Sequence, residues 1–292
     1  MNVTIGSYNV KNLFAKSDIV PGTKTPPKSE RSMDALAENI RRADADIVTL
    51  QEVSSKKTLT NFMESRGLSE TYPYVAHVNG NSSRGINVAV ISKYPFTEVI
   101  SHKDARFPLA DGSGETMFSR DLLRVDVDTD GIPGADVTVY TTHTKSRRPA
   151  GPGEINSDTQ RISEGMAIRN IAENEMKAFP GRLFVITGDF NDNTNNKSVQ
   201  AVLDPKDGRE VWKDSLAHLP KNERNTWPAN PTKTNGFSPE QFDHIIYPSS
   251  MEDKMTGSRI HRYEQSDSSD TRWVSSTASD HLMISADFNI GD

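Results

Sequence analysis

The sequence of 292 residues contains no cysteine. Disulfides and thiolate metal sites are therefore excluded, and a bound metal must rest on oxygen or imidazole ligands. The compartment stays open between the cytosol and an exported protein whose leader is absent from this chain. No apolar run approaches the ~20 residues of a membrane-spanning helix. No secretory leader is visible either, because residues 3–10 already alternate like a strand. Excess positive charge is lacking too: 40 acids face 34 bases, for a net charge of −6. A dedicated duplex-DNA binder is often basic overall, so a nucleic acid would here have to meet a local basic patch. Repeats and a linker between two cores are also missing, so residues 1–292 read as one domain, expected to act as a monomer.

What is present is a series of short β-rich runs broken by turn residues. Residues 3–10, 47–50, 74–78, 86–91, 96–100, 122–127, 137–142, 183–187, 242–247 and 282–288 read as strands. Asn79-Gly80 is the turn signal between two of these runs, and Asp130-Gly131 marks another. Ser29 can cap a helix that carries Met33, Leu36, Ala37 and Ile40 at helical spacing. Residues 59–66 form a second helix ended by Gly67. Residues 161–178 form a third, with Ile162, Met166, Ile168, Ile171 and Met176 as its apolar positions. Loops are expected at 15–30 (with Pro21, Gly22, Pro26 and Pro27), at 103–117 and at 146–158. Residues 191–240 are weakly patterned, and 249–279 form a long Ser/Asp-rich excursion. Many strands with few helices imply an α/β (α+β) fold of two packed sheets with helices outside.

Acid, amide and imidazole groups recur at the ends of these runs. Asp189 and Asn191 follow the run 183–187 in Gly188-Asp189-Phe190-Asn191. A carboxylate there can orient or deprotonate water, and an amide can donate to a phosphoryl oxygen; the same residues also suit an ordinary turn. His281, in Ser279-Asp280-His281, can exchange a proton near neutral pH if a carboxylate holds its tautomer. Asp280 would point to the opposite strand face, so Asp243 is the expected partner, and its neighbour His244 is structural. Glu52 ends a buried strand after Gln51, where a carboxylate is costly unless it is paired or metal-bound. One such carboxylate with waters suffices for magnesium. His143 and Lys145 alternate onto one face, and both can donate to phosphate. Arg84 and Arg120 flank strands and can grip phosphate in the bidentate way of guanidinium groups, or be surface charges. Asn9 closes the first strand with Asn12 just beyond it, placed to brace a metal ligand or cap a helix.

In this order Ser7-Tyr8-Asn9, Leu50-Gln51-Glu52, Thr142-His143, Gly188-Asp189-Phe190-Asn191, Phe242-Asp243-His244 and Ser279-Asp280-His281 resemble the endonuclease/exonuclease/phosphatase (DNase I-like) superfamily. The resemblance runs from residue 3 to residue 288. The stretch from Arg84 to Ser92, including Asn87, is similar to its bacterial nuclease branch, as is Asp243-His244-Ile245-Ile246. One departure stands out: Lys11 occupies the place where abasic-site endonucleases carry an acid.

The resemblance implies a four-layer α/β sandwich: two mostly antiparallel sheets face to face, helices outside, and an active site at one end. It implies Glu52 as the principal metal ligand, with Asn9 and Asp280 close by. Asp243 would orient His281, acting as base or phosphate stabiliser. Asp189 would orient or deprotonate water, and Asn191 and His143 would hold the scissile phosphate. Arg84 and Arg120, with Lys145 and Asn87, would bind the substrate. The expected cation is magnesium or manganese, with calcium as a third candidate. The expected activity is metal-dependent phosphodiester hydrolysis, with DNA or RNA as the partner. A phosphatase or lipid phosphodiesterase, or a silent binding module, are the alternatives. Thr226-Trp227-Pro228 is only a faint echo of the inositol phosphatases' signature.

Overall fold

The computed structural model of the chain describes residues 1–19, 25–204, 206–228, 238–263 and 275–291. β1 (Asn2–Leu13) leads to α1 (Glu30–Ala43), β2 (Ile47–Val53), α2 (Lys56–Ser65), β3 (Tyr74–His77) and β4 (Asn87–Ser92). Next come β5 (Phe96–Ser101), a ribbon of β6 (Phe107–Pro108) and β7 (Glu115–Thr116), β8 (Leu122–Val127) and β9 (Val137–His143). α3 (Ser157–Ala178), β10 (Leu183–Asp189), α4 (Lys197–Leu203), β11 (Trp212–Asp214) and β12 (Asp243–Pro248) follow. β13 (Met255–Ile260), α5 (Ser275–Ala278) and β14 (Ile284–Asn289) come last.

The strands form two six-stranded sheets, ordered β13-β14-β1-β2-β4-β3 and β11-β12-β10-β9-β8-β5. Only β1–β2 and β9–β10 pair in parallel; the other pairs are antiparallel. Val3, Ile5 and Val90 from one sheet meet Val125, Val139 and Val185 from the other in a shared apolar core. Alternation along each strand sends the remaining side chains outward. There Tyr8, Val48 and Leu50 pack on Leu36 and Ile40 of α1 and Leu59 and Phe62 of α2. On the opposite flank Tyr140, Phe184 and Ile186 pack on Ile168 of α3 and Val199 of α4. These are the four layers that the family resemblance implied.

Local chemistry explains the helix limits. Ser29 accepts from Ser32 N at the start of α1, and Asp44, in the left-handed region, closes it with its N–H on Ile40 O. α2 begins three residues before the expected 59, capped by Ser55. α3 begins at Ser157 because Asn156 caps it through Asp158 N and Thr159 N. Its buried face also differs from the expected one. Ile168 is buried and Met166 is exposed, while Gln160, Arg161, Glu164, Arg169 and Glu173 are buried. Those polar groups serve contacts between elements, such as Arg169 Nη1 on Val202 O at 2.8 Å. Gly165 lets α4 approach, since a Cβ there would lie 2.2 Å from Ser198 O.

Three further expectations change. β3 and β4 do pair, but Asn79-Gly80 is not a tight turn; Gly80 N is held by Asn87 Oδ1 inside a longer loop. The weakly patterned 191–240 contains α4 and β11, and the 249–279 excursion contributes β13 to a sheet edge. Pro21 and Gly22 of the 15–30 loop lie outside the described residues.

Candidate active site

The ends of β1, β2, β9 and β10 and the start of β12 meet at one end of the sandwich. Register does most of the assembly: Asp189 is paired with His143 across β9–β10 and with Asp243 across β10–β12. Gly188 makes this row possible. Its φ is +137°, and a Cβ would lie 2.0 Å from Thr142 O. Toward this end the apolar inter-sheet core gives way to a polar layer. Gln51 Nε2 donates to Ser7 Oγ at 3.3 Å and Thr141 Oγ1 at 3.2 Å, and Thr187 Oγ1 donates to Thr49 Oγ1 at 2.9 Å.

Asp189 is the hub. Its Oδ2 accepts from Asn9 Nδ2 at 2.8 Å, and its Oδ1 accepts from Asn191 N at 2.8 Å. His143 Nε2 lies 3.5 Å and His281 Nε2 3.8 Å from Asp189 Oδ2. His281 Nδ1 is 2.8 Å from Asp243 Oδ2, the carboxylate expected from the sequence. Asp243 Oδ1 is buried with no hydrogen-bond partner among the described residues. Ser279 Oγ donates to Asn9 O at 2.7 Å and accepts from His281 N, which fixes the last motif against β1.

Burial pushes the Asp189 carboxyl up, and the Asp243 charge adds to this. Burial also opposes the His281 cation, but the Asp243 and Asp189 carboxylates outweigh it and raise the imidazole well above its ordinary range. His143 is driven the other way by burial, with Arg120 and His281 adding to it, and stays neutral.

A cleft of about 500 Å3 opens over this cluster. Glu52, His143, Asp189, Asn191 and His281 lie on its floor side, with Arg84, Arg120 and Lys145 also lining it. Arg120 is buried; its Nη1 donates to Thr144 O at 2.8 Å and Ser119 Oγ at 3.2 Å. Arg84 Nη2 donates to Asn12 Oδ1 at 2.9 Å. Neither guanidinium has a carboxylate within ion-pair distance among the described residues. Lys145 reaches Glu154 at 3.7 Å.

The remaining expected residues fall in different places. Glu52 adopts φ +67°, and its Oε2 accepts from Asn12 N at 2.9 Å. Asn9 braces Asp189, and its Oδ1 is used by Lys11 N. Asp280 is exposed and paired with Lys11 Nζ at 3.2 Å. Asn87 is not among the residues that line the cleft. Its amide bonds Gly80 N, Ser54 O and Gly85 O, so its polar atoms are occupied by backbone. His244 is structural, as expected, bonded to Asp214 and to Asp192 O.

Two contributors escaped the sequence reading. Thr226 Oγ1 accepts from both Phe242 N and Asp243 N, and its carbonyl accepts from Leu282 N, so it joins the Asp243 and His281 segments. Arg148 lines the cleft beside Lys145. The Thr-Trp-Pro echo was the only signal for Thr226, and nothing local marked Arg148.

The donors suit a hard divalent cation. Asp189 and Asp243 offer carboxylate oxygens within 4.8 Å of each other and of a His281 ring nitrogen, and Glu52 adds a carboxylate oxygen at the cleft. The orphaned Asp243 Oδ1 is an oxygen with spare ligating capacity.

No curated protein matches the sequence. Among solved structures, the fold is similar to zebrafish (D. rerio) TDP2 complexed with a single-strand DNA product. That match has 19% identity, covers 99% of each chain and has a TM-score of 0.63. It is also similar to the human Nocturnin catalytic domain with bound sulfate, at 13% identity, covering 99% of this chain and 94% of that one, with a TM-score of 0.65. A Bacteroides vulgatus endonuclease/exonuclease/phosphatase matches at 14% identity over 100% of both chains, with a TM-score of 0.65. Residues 6–281 match the profile of the Endonuclease/Exonuclease/phosphatase family. The chain therefore belongs to the endonuclease/exonuclease/phosphatase family and is a hydrolase of phosphoester bonds.

Proposed function

We propose that this enzyme is a magnesium- or manganese-dependent nuclease, with DNA as its first candidate substrate, acting as a monomer with residues 1–292 as one domain. The observation that carries the reading is Arg120. Its guanidinium is buried with no carboxylate within ion-pair distance among the described residues, and burial outweighs the longer-range support of Glu164, Glu52 and Asp189. It opens with Arg84 onto the cleft that holds Asp189 and His281. A phosphodiester oxygen would give it the direct anion contact that these carboxylates, farther away, do not.

Asp189 is suited to take a proton from water, because burial raises its basicity while Asn9 and Asn191 hold its orientation. The water oxygen then forms a bond to phosphorus as the opposite P–O bond breaks; the water proton stays on Asp189, and the departing oxygen takes its proton from solvent. His281, kept cationic by Asp243, faces the site through Nε2 and stabilises the charge that grows on the phosphoryl oxygens. Neutral His143 and the Asn191 amide hold the scissile phosphate. Glu52 would hold the cation as its principal ligand, and the cation when bound supplies positive charge to the phosphoryl group.

Circular and linear DNA, inositol polyphosphates and sphingomyelin, each assayed with Mg2+, Mn2+ or chelator, test the reading. Cleavage of DNA that chelator abolishes is the expected result. Turnover of either other substrate with intact DNA would overturn it.

A further inference from the structure

Lys28 belongs to none of the recognised motifs, yet its ammonium sits beside the site. It donates to Val10 O at 2.8 Å, to Lys11 O at 3.2 Å and to Ala278 O at 2.7 Å. The first two carbonyls belong to an unusual turn in β1. Lys11 and Asn12 both lie in the left-handed region, with φ of +48° and +52°, and the β1–β2 register breaks there. Two successive non-glycine residues in that region are strained and persist only where the surroundings over-determine them. Lys28 supplies that constraint by capturing the carbonyls on either side of the Lys11 Cα.

The consequence reaches the cleft through Asn12. Its N–H holds Glu52 Oε2 at 2.9 Å, and its Oδ1 accepts from Arg84 Nη2 at 2.9 Å. The third carbonyl, of Ala278, immediately precedes Ser279-Asp280-His281. One ammonium thus ties the segment that sets Glu52 and Arg84 to the segment that sets His281. Each bond is charge-assisted and stronger than a neutral one. Overall stability leans less on Lys28, because Ser279 Oγ on Asn9 O and the Lys11–Asp280 pair join the same two segments.

We infer that Lys28 is a positioning residue for the hydrolytic site: it holds the left-handed Lys11–Asn12 turn that aims Glu52 at the cation and Arg84 at the substrate phosphate. This rests on the proposed metal-dependent activity, and its test is separable from it. Lys28→Met keeps the stem and removes the donors. Mn2+ binding, read by electron paramagnetic resonance, should weaken about 10–100-fold in Lys28→Met, the range for supporting groups around metal ligands. Residue-resolved hydrogen exchange should show the Asn12 amide opening about tenfold faster, with core amides unchanged.

The cysteine-free chain allows a chemical rescue. Lys28→Cys, alkylated with 2-bromoethylamine in denaturant and refolded, regains an ammonium on a stem of lysine length. It should recover Asn12 protection and Mn2+ affinity, whereas the same variant alkylated with 1-iodopropane, which restores the stem without a donor, should not. Wild-type Mn2+ binding and Asn12 exchange in Lys28→Met would overturn the inference, as would equal recovery by both alkylated forms. If Lys28→Met fails to fold, the alkylated pair carries the test. Neither the exchange nor the binding measurement uses a substrate. A wild-type protein that cleaves no DNA would therefore sink the nuclease reading and leave the role of Lys28 standing.

Discussion

His281 and Asp243 form a pair whose chemistry depends on both partners. Burial alone would strip the imidazole of its proton, and the two buried carboxylates reverse this. Asp243→Asn removes the larger attraction, so the His281 titration followed by NMR should move down toward its ordinary value. kcat should fall by about 10²–10⁴. The pair also makes stability depend on pH. The folded pKa of His281 is raised from 6.5 to about 10, so its contribution is complete below 6.5 and is lost as the pH climbs through about 10. Urea midpoints of the wild type should fall across that window more steeply than those of Asp243→Asn. Equal slopes would show that the pair does not couple to folding.

Strands deliver these residues, and their backbones set the tolerance. At the end of β10, Gly188 combines a φ that other residues rarely adopt with contact against the β9 backbone. Gly188→Ala should therefore destabilise the fold by at least ~2 kcal/mol, through strain and displacement of β9 together. Denaturant unfolding checks the loss. A drop below ~0.5 kcal/mol, the level of an ordinary surface change, would mean that the strand ends are looser than their register indicates. β10 and its Gly-Asp terminus are legible in the sequence, because an apolar run ending in glycine is a local signal. β11 and β13 leave no such signal: they are edge strands of three and six residues with few apolar side chains.

At the scale of the molecule, a net charge of −6 and a cleft lined by Arg84, Arg120, Lys145 and Arg148 pull in opposite directions. Long-range attraction for a polyanion is weak, so substrate affinity rests on short-range contacts in the cleft. Binding of DNA to the metal-free protein should weaken with salt. Arg120→Met and Arg84→Met should each reduce the slope of log K against log[salt] by about one phosphate contact. Unchanged slopes would remove these arginines from the interface.

The order of the strand-end motifs, the absence of thiol ligands and the strand-rich pattern were enough to determine the fold class, the family likeness and most of the hub: Asp189, His281, Asp243 and His143. Such features are local, since alternation and turn chemistry act over a few residues. What only the tertiary structure decided depends on contacts between distant segments. Asn87 is spent on Ser54 O, Thr226 O takes Leu282 N, and Lys28 staples β1 to the end of α5 before His281. Partners up to 250 positions apart leave no pattern in a single sequence; their roles exist only once packing has brought a buried donor within reach of an otherwise unpaired acceptor.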